Sequence, residues 1–161
     1  MTIDIVYLAD QIHHVVELAG LHHGEWGHLS PQLDVDKRVS LLKGASRKCG
    51  IPTIFIAVDG PDLVGSAALV KNDMKNRRDL SPWLAAVYVK LKQRQNGIAS
   101  ALVARVESEA IALRVERLYL FTEHQEHFYK RRGWKLLEHT NYYGTHVAVM
   151  SKQLINDSGN G

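Results

Sequence analysis

Six residues, Arg94-Gln95-Asn96-Gly97-Ile98-Ala99, stand where a chain can hold a phosphate. Upstream, residues 82–89 (Pro-Trp-Leu-Ala-Ala-Val-Tyr-Val) carry the β-branched and aromatic side chains of a buried strand. Downstream, residues 100–113 place Ala101, Leu102, Ala104, Val106, Ala110 and Leu113 at mostly helical spacing, with Val103 beside them. A turn between such a strand and such a helix presents consecutive backbone N–H groups at a helix start. There the unpaired donors and the helix dipole attract an anion such as a pyrophosphate. Gly97 and Ala99 leave the backbone bare enough for phosphate oxygens to approach, and Arg94 adds a fixed positive charge. The spacing R-x-x-G-x-A arises by chance; its place between strand and helix gives it weight.

The turn resembles the acetyl-CoA loop of the GCN5-related N-acetyltransferases, Q/R-x-x-G-x-G/A after a central strand. Phe128-Tyr129-Lys130-Arg131-Arg132-Gly133-Trp134 is similar to the same family's F-Y-x-x-x-G-F/W segment, and the likeness spans roughly residues 62–152. The resemblance implies an α/β (α+β) fold with a mixed, largely antiparallel central sheet flanked by helices. It implies acetyl-CoA as co-substrate, its pyrophosphate on the amides of Gln95, Asn96, Gly97, Ile98, Ala99 and Ser100 with Arg94 alongside. It assigns Val87, Tyr88 and Val89 through their backbones, because the family's central strand splays from its neighbour and frees groups for the pantetheine arm and thioester oxygen. It makes Tyr129 the general acid that protonates the departing thiolate; without the resemblance, Tyr129 reads as a helix tyrosine packed beside Phe128. The activity so implied is direct attack of a primary amine on acetyl-CoA in a ternary complex. A catalytically idle acyl-CoA-binding sensor or partner domain is the alternative.

Acetyl transfer to an amine also needs a proton acceptor, since amines of the lysine type have a pKa near ~10.4. Residues 83–89, where many members of the family carry a glutamate, contain no acid. Glu25, Glu123 and His124 are the available candidates. The acceptor is expected between residues 22–28, with Glu25 and Trp26 as its contacts, and residues 142–143, with Tyr142 as the third. Leu91, Gln93, Asn96, Thr122 and Gln125 depart from residues common in the family, which leaves the amine, small molecule or peptide, open.

These residues belong to a chain of 161 with 45% hydrophobic content, enough for one core, and we expect one domain over residues 1–154 with a frayed tail over 155–161. No apolar run is long enough to span a membrane, the N-terminus lacks the basic start of a secretion signal, and Cys49 stands alone, so a cytoplasmic protein without a disulfide is expected. The net charge is only +3, and residues 75–78 and 130–132 are solvated basic faces rather than a nucleic-acid surface. His124 and His127 share one helix face but lack an evident third ligand, so no metal is expected. A homodimer is compatible with a chain of this kind.

The elements follow from pattern. Strands are expected at residues 2–8, 53–58, 63–70, 82–89, 116–122, 134–140 and 145–152. Helices are expected at residues 10–21 with Asp10 as N-cap and Ile12, Val15, Val16, Leu18 and Ala19 inward, and at residues 34–48 with Val35, Val39, Leu41, Leu42 and Ala45 inward. Two more are expected at residues 100–113 and 125–132. Residues 22–28 read as a loop or bent helix end, residues 71–81 as a long exposed connection, and residues 141–144 as a turn.

Overall fold

The structure, a computed structural model, describes residues 2–155. Among these residues the strands are β1 (Ile3–Tyr7), β2 (Thr53–Asp59), β3 (Asp62–Val70), β4 (Trp83–Val89), β5 (Arg117–Thr122), β6 (Lys135–Tyr142) and β7 (Thr145–Gln153). The helices are α1 (Val15–Trp26), α2 (Val35–Gly44), α3 (Ile98–Ala112) and α4 (Glu126–Lys130). The strands form a single sheet in the order β1-β2-β3-β4-β5-β7-β6, and every neighbouring pair is antiparallel except β4 and β5. The mixed, largely antiparallel sheet expected from the resemblance is therefore present.

Alternation along the strands divides the interior in two, because successive side chains leave opposite faces. Phe55, Ala57, Leu84, Leu118, Leu120, Ala148 and Met150 face α3, which meets them with Leu102, Val103, Val106 and Ala110. Their neighbours face the other way. Ile54, Ile56 and Ala68 pack with Leu8, Val15 and Leu18, with Val39, Leu42 and Ala45 against them. Trp83, Val147 and Val149 pack with Leu29, Met74 and Tyr142.

Several expectations need correction. Asp10 caps no helix: Leu8–His14 winds as a 3₁₀ segment broken at Gln11, and Asp10 pairs with Lys48 at 2.6 Å. The α-helix starts later and runs on through residues 22–26, so of the two readings of residues 22–28, a loop or a bent helix end, the helix end holds. Each glycine costs about 1 kcal/mol of helix propensity relative to alanine, but Val15, Leu18, Ala19 and His22 bury one face and tertiary packing prevails. Ile12 and Val16 point outward, as do Leu41 of α2 and Ala101 and Ala104 of α3. Helix α2 ends at Gly44 rather than at residue 48; its start is as expected, Asp34 accepting the Lys37 amide at 2.8 Å. Asn141 and Tyr142 extend β6, leaving Tyr143 and Gly144 as a two-residue hairpin turn with positive φ at both. Residues 71–81 are largely exposed, as expected, and are held down at two points: Met74 is buried, and Arg77 bonds Asp79 and Glu138. Of the expected tail over 155–161, the Ile155 amide, like that of Leu154 before it, donates to the Glu116 carbonyl, and residues 156–161 lie outside the described residues.

Candidate active site

Parallel strands β4 and β5 pair only where Trp83 meets Tyr119. Beyond that vertex they diverge, and Val87, Tyr88 and Val89 have no β5 residue opposite. The first half of β4 is buried, whereas Ala86, Val87 and Tyr88 are half-buried along the opening. Tyr88 still pairs with Ser66 of β3, so the strand groups left without a sheet partner are those of this stretch that point toward β5, and they must be bonded by something else.

At the end of β4 the chain makes a short 3₁₀ turn over Leu91–Gln93 and enters α3. Gln95 (φ 68°) and Gly97 (φ 76°, the N-cap of α3) both adopt left-handed backbone, and only glycine does so without cost. The amides of residues 95–100 donate to no group among the described residues; the first bond of the helix runs from the Ala101 amide to the Gly97 carbonyl at 3.1 Å. This is a concave run of unpaired donors at the positive end of a four-turn helix. The charge of Arg94 is less free than expected. Its Nε donates to the Val89 carbonyl at 2.7 Å, its guanidinium lies 5.6 Å from the Tyr88 ring centre, and Nη2 is 3.9 Å from Glu25 Oε1. Arg94 and Glu25 thus join the turn to α1.

Arg132 is the cation that sequence reasoning missed, having read it as part of a solvated basic face. Its Nε donates to Ser100 Oγ at 2.9 Å and its Nη1 to the Phe128 carbonyl at 2.9 Å, with the guanidinium 3.7 Å over the Phe128 ring. Its place four residues after Phe128, just before the glycine that ends the helix, was the available signal.

Tyr129 lies buried on α4, its ring packed edge-on against Phe128 at 5.0 Å and Trp134 at 5.9 Å. Its hydroxyl makes no hydrogen bond among the described residues. Burial pushes its pKa well above the ordinary phenol value, with the Arg132 charge opposing. The group therefore stays protonated, with its donor unspent. Trp134 fixes the helix from below, its indole donating to Glu107 at 3.2 Å while Lys152 holds the other carboxylate oxygen at 2.7 Å.

Side chains line the opposite face of the sheet. Trp26 packs edge-on to Tyr88 at 6.1 Å and against His22 at 5.1 Å. Phe121 meets Tyr142 at 5.5 Å, and Trp83 lies 6.4 Å from Phe121. Trp26 packs against the same aromatic cluster to which Tyr142 belongs. Tyr142 is mostly covered, its hydroxyl accepting the Lys75 amide at 3.0 Å, whereas Tyr143 is exposed. The two tyrosines line a shallow pocket with Lys75, Asn76 and Asn141. Of the proposed proton acceptors, Glu123 bonds His28 Nε2 at 2.9 Å and lies 3.5 Å from His124 Nε2, and Glu25 faces Arg94.

A carboxylate that sequence reasoning passed over lies on this same side. Asp73 follows β3 by three residues, between buried Met74 and the strand end at Val70, which pairs with Trp83 at the vertex. It is half-buried and makes no hydrogen bond or ion pair among the described residues, and desolvation by the surrounding protein pushes its carboxyl up to about 7. The only signal in the sequence was a methionine inside an otherwise polar run. Among the described residues no group of three or more His, Cys, Asp and Glu is placed to hold a metal ion. No helix of the described residues is long and apolar enough to cross a membrane.

Comparison with known proteins places this geometry in context. The model of the acetyltransferase (GNAT) family matches residues 16–134. No curated protein matches the sequence. Among solved structures, the aminoglycoside 6'-N-acetyltransferase from Enterococcus faecium superposes with a TM-score of 0.71 at 18% identity, covering 97% of this chain and 98% of its own. An aminoglycoside 6'-N-acetyltransferase complexed with coenzyme A gives 0.70 at 18% identity, covering 97% and 98%. YncA from Salmonella typhimurium, solved with its cofactor acetyl-CoA, gives 0.73 at 14% identity, covering 98% and 97%. At these identities the likeness is one of fold.

Proposed function

The chain belongs to the acetyltransferase (GNAT) family, and from that premise we propose that it moves the acetyl group of acetyl-CoA to a primary amine by direct attack. The observation that carries the reading is one juxtaposition: a strand with unpaired groups, a helix N-terminus with unpaired amides, and a buried tyrosine whose donor is unspent.

Acetyl-CoA supplies an activated thioester. The amides of residues 95–100 hold its pyrophosphate, and Arg132 adds charge through Ser100. The backbone of Val87, Tyr88 and Val89 aligns the pantetheine arm along the opening. The amine arrives from the opposite face, past Trp26, Tyr88 and the segment around Tyr142 and Tyr143. Asp73 takes one proton from the ammonium and passes it to solvent. The nitrogen then attacks the carbonyl, the C–S bond breaks, and Tyr129 gives its proton to the sulfur. The nitrogen's second proton restores the phenol through water. Proximity supplies much of the remaining rate, because the cleft presents both reactants to each other.

The surroundings of the two groups favour this division of roles. A carboxyl near 7 is half ionised at neutral pH and can take a proton, while a phenol raised by burial can only give one. Two of the similar structures are named as aminoglycoside acetyltransferases, which supports a small polar amine as acceptor. Release of free thiol from acetyl-CoA across a panel of amines tests the reading. Amine-dependent release matched by acetylated amine is expected. Tight acetyl-CoA binding with no release for any amine would mean an idle sensor instead.

A further inference from the structure

Strand β4 carries a deformity that the rest of the sheet does not require. Its pairing with β3 slips between Ser66 and Ala68, so Ser66 faces Tyr88 while Ala68 faces Ala85. The extra residue falls at Ala86, whose φ is 54°. A non-glycine residue there is strained and persists only where its surroundings hold it. The bulge lies immediately before Val87 and Tyr88, where β4 leaves β5.

Two neighbours on β3 impose this shape. Ser66, fully buried, donates its hydroxyl proton to the Ala86 carbonyl at 2.8 Å. His22 of α1 meets Ser66 Oγ from the other side at 2.9 Å. The serine has one proton and gives it to the carbonyl, so the histidine must donate from Nε2 and carry its lone pair on Nδ1. Burial, with the Arg38 charge adding to it, lowers the imidazole to about 3, so it stays neutral through the physiological range. At the next residue, Gly65 lets β3 press against β4: a Cβ there would stand 2.6 Å from the Tyr88 carbonyl.

We propose that His22 and Ser66 form a lock that holds the β4 bulge at Ala86 and so aims the backbone of Val87, the residue just past the bulge, at the pantetheine and thioester of acetyl-CoA. The inference rests on the reading of β4 as the pantetheine strand. Both are positioning residues: they touch the strand from the side away from β5 and act through it. The lock is independent of the pyrophosphate cradle, which is built from the turn and α3. A bulge that relaxes should therefore weaken the grip on pantetheine and leave the grip on the nucleotide alone.

The experiment compares the affinities of acetyl-CoA and of 3′-phospho-ADP, the part of CoA that ends at the pyrophosphate. In Ser66→Ala and His22→Leu, acetyl-CoA affinity should fall at least tenfold while 3′-phospho-ADP affinity stays within twofold. His22→Gln, whose amide N–H can still reach Ser66, should recover most of the lost acetyl-CoA affinity. A uniform loss of both affinities, or no loss in either, overturns the lock, and so does a His22→Gln variant no better than His22→Leu. If Ser66→Ala does not fold, the contrast between His22→Gln and His22→Leu decides alone. Failure of wild-type protein to bind acetyl-CoA at all would instead reject the functional reading beneath it.

Discussion

The two reactants meet sites built on different principles. On the α3 side, the anion cradle is made from the backbone of one continuous stretch, residues 95–100, shaped by two left-handed residues and one helix start. On the α1 side, the surface is made of side chains from distant segments: Trp26 from α1, Tyr88 from β4, Phe121 from β5 and Tyr142 from β6. A backbone site tolerates most changes of side chain and fails when φ or space is altered. A side-chain site changes with each substitution and can be retuned to a new amine while the cradle stays constant.

That contrast predicts different mutational behaviour. The largest effect belongs to the residue between the two sites. Tyr129→Phe keeps the packing and removes only the proton donor, so kcat should fall by roughly a hundredfold to ten-thousandfold with little change in acetyl-CoA affinity. Wild-type kcat across pH would make Tyr129 a packing residue. Next comes the cradle itself. Gly97→Asp places a side chain at φ 76° and an anion beside the phosphate, and should weaken acetyl-CoA binding by about a hundredfold or more, roughly 2.7 kcal/mol. Unchanged affinity in a folded variant would remove the pyrophosphate from this turn.

A smaller, pH-dependent effect belongs to the acceptor side. Because the Asp73 carboxyl is raised to about 7, its proton-accepting form appears as pH rises through 7, and wild-type turnover should rise with it. Asp73→Asn should lower turnover at pH 8 and flatten that rise. The same shift has a stability consequence of opposite sign. The raised pKa means the fold favours the protonated acid, so stability is retained below the unfolded value near ~4 and lost as pH rises through 7. Asp73→Asn should therefore unfold at a higher temperature than wild type at pH 8 and at a similar one at pH 4. A variant slower but no more stable at pH 8 would contradict the upward shift of this carboxyl. The mildest effect is expected from Trp26→Ala, which should raise the amine KM several-fold and leave the acetyl-CoA KM alone. An unchanged amine KM would send the acceptor along another path.

The same contrast explains how much the sequence disclosed. The strand–turn–helix around Gly97 is local, so a few residues of spacing reveal it. The strands were legible because apolar runs such as residues 53–58 and 63–70 are bounded by turn residues. Sequence pattern ends the first helix near residue 21 because Gly24 and the adjacent polar residues outweigh the buried face that Val15, Leu18 and His22 complete only in three dimensions. The register slip that puts Ser66 under Ala86, the Ser100–Arg132 bond and the unpartnered state of Asp73 depend on long-range pairing, which no local pattern encodes.

A structure of the protein with acetyl-CoA bound is the most direct test of the account. We expect the pyrophosphate within hydrogen-bonding distance of amides in residues 95–100, and the sulfur within reach of the Tyr129 hydroxyl, about 3 Å or through one water. The thioester should lie in the opening between β4 and β5 with its carbonyl carbon open toward Trp26 and Asp73. A thioester held outside that opening, or a sulfur remote from Tyr129, would contradict transfer through the split sheet.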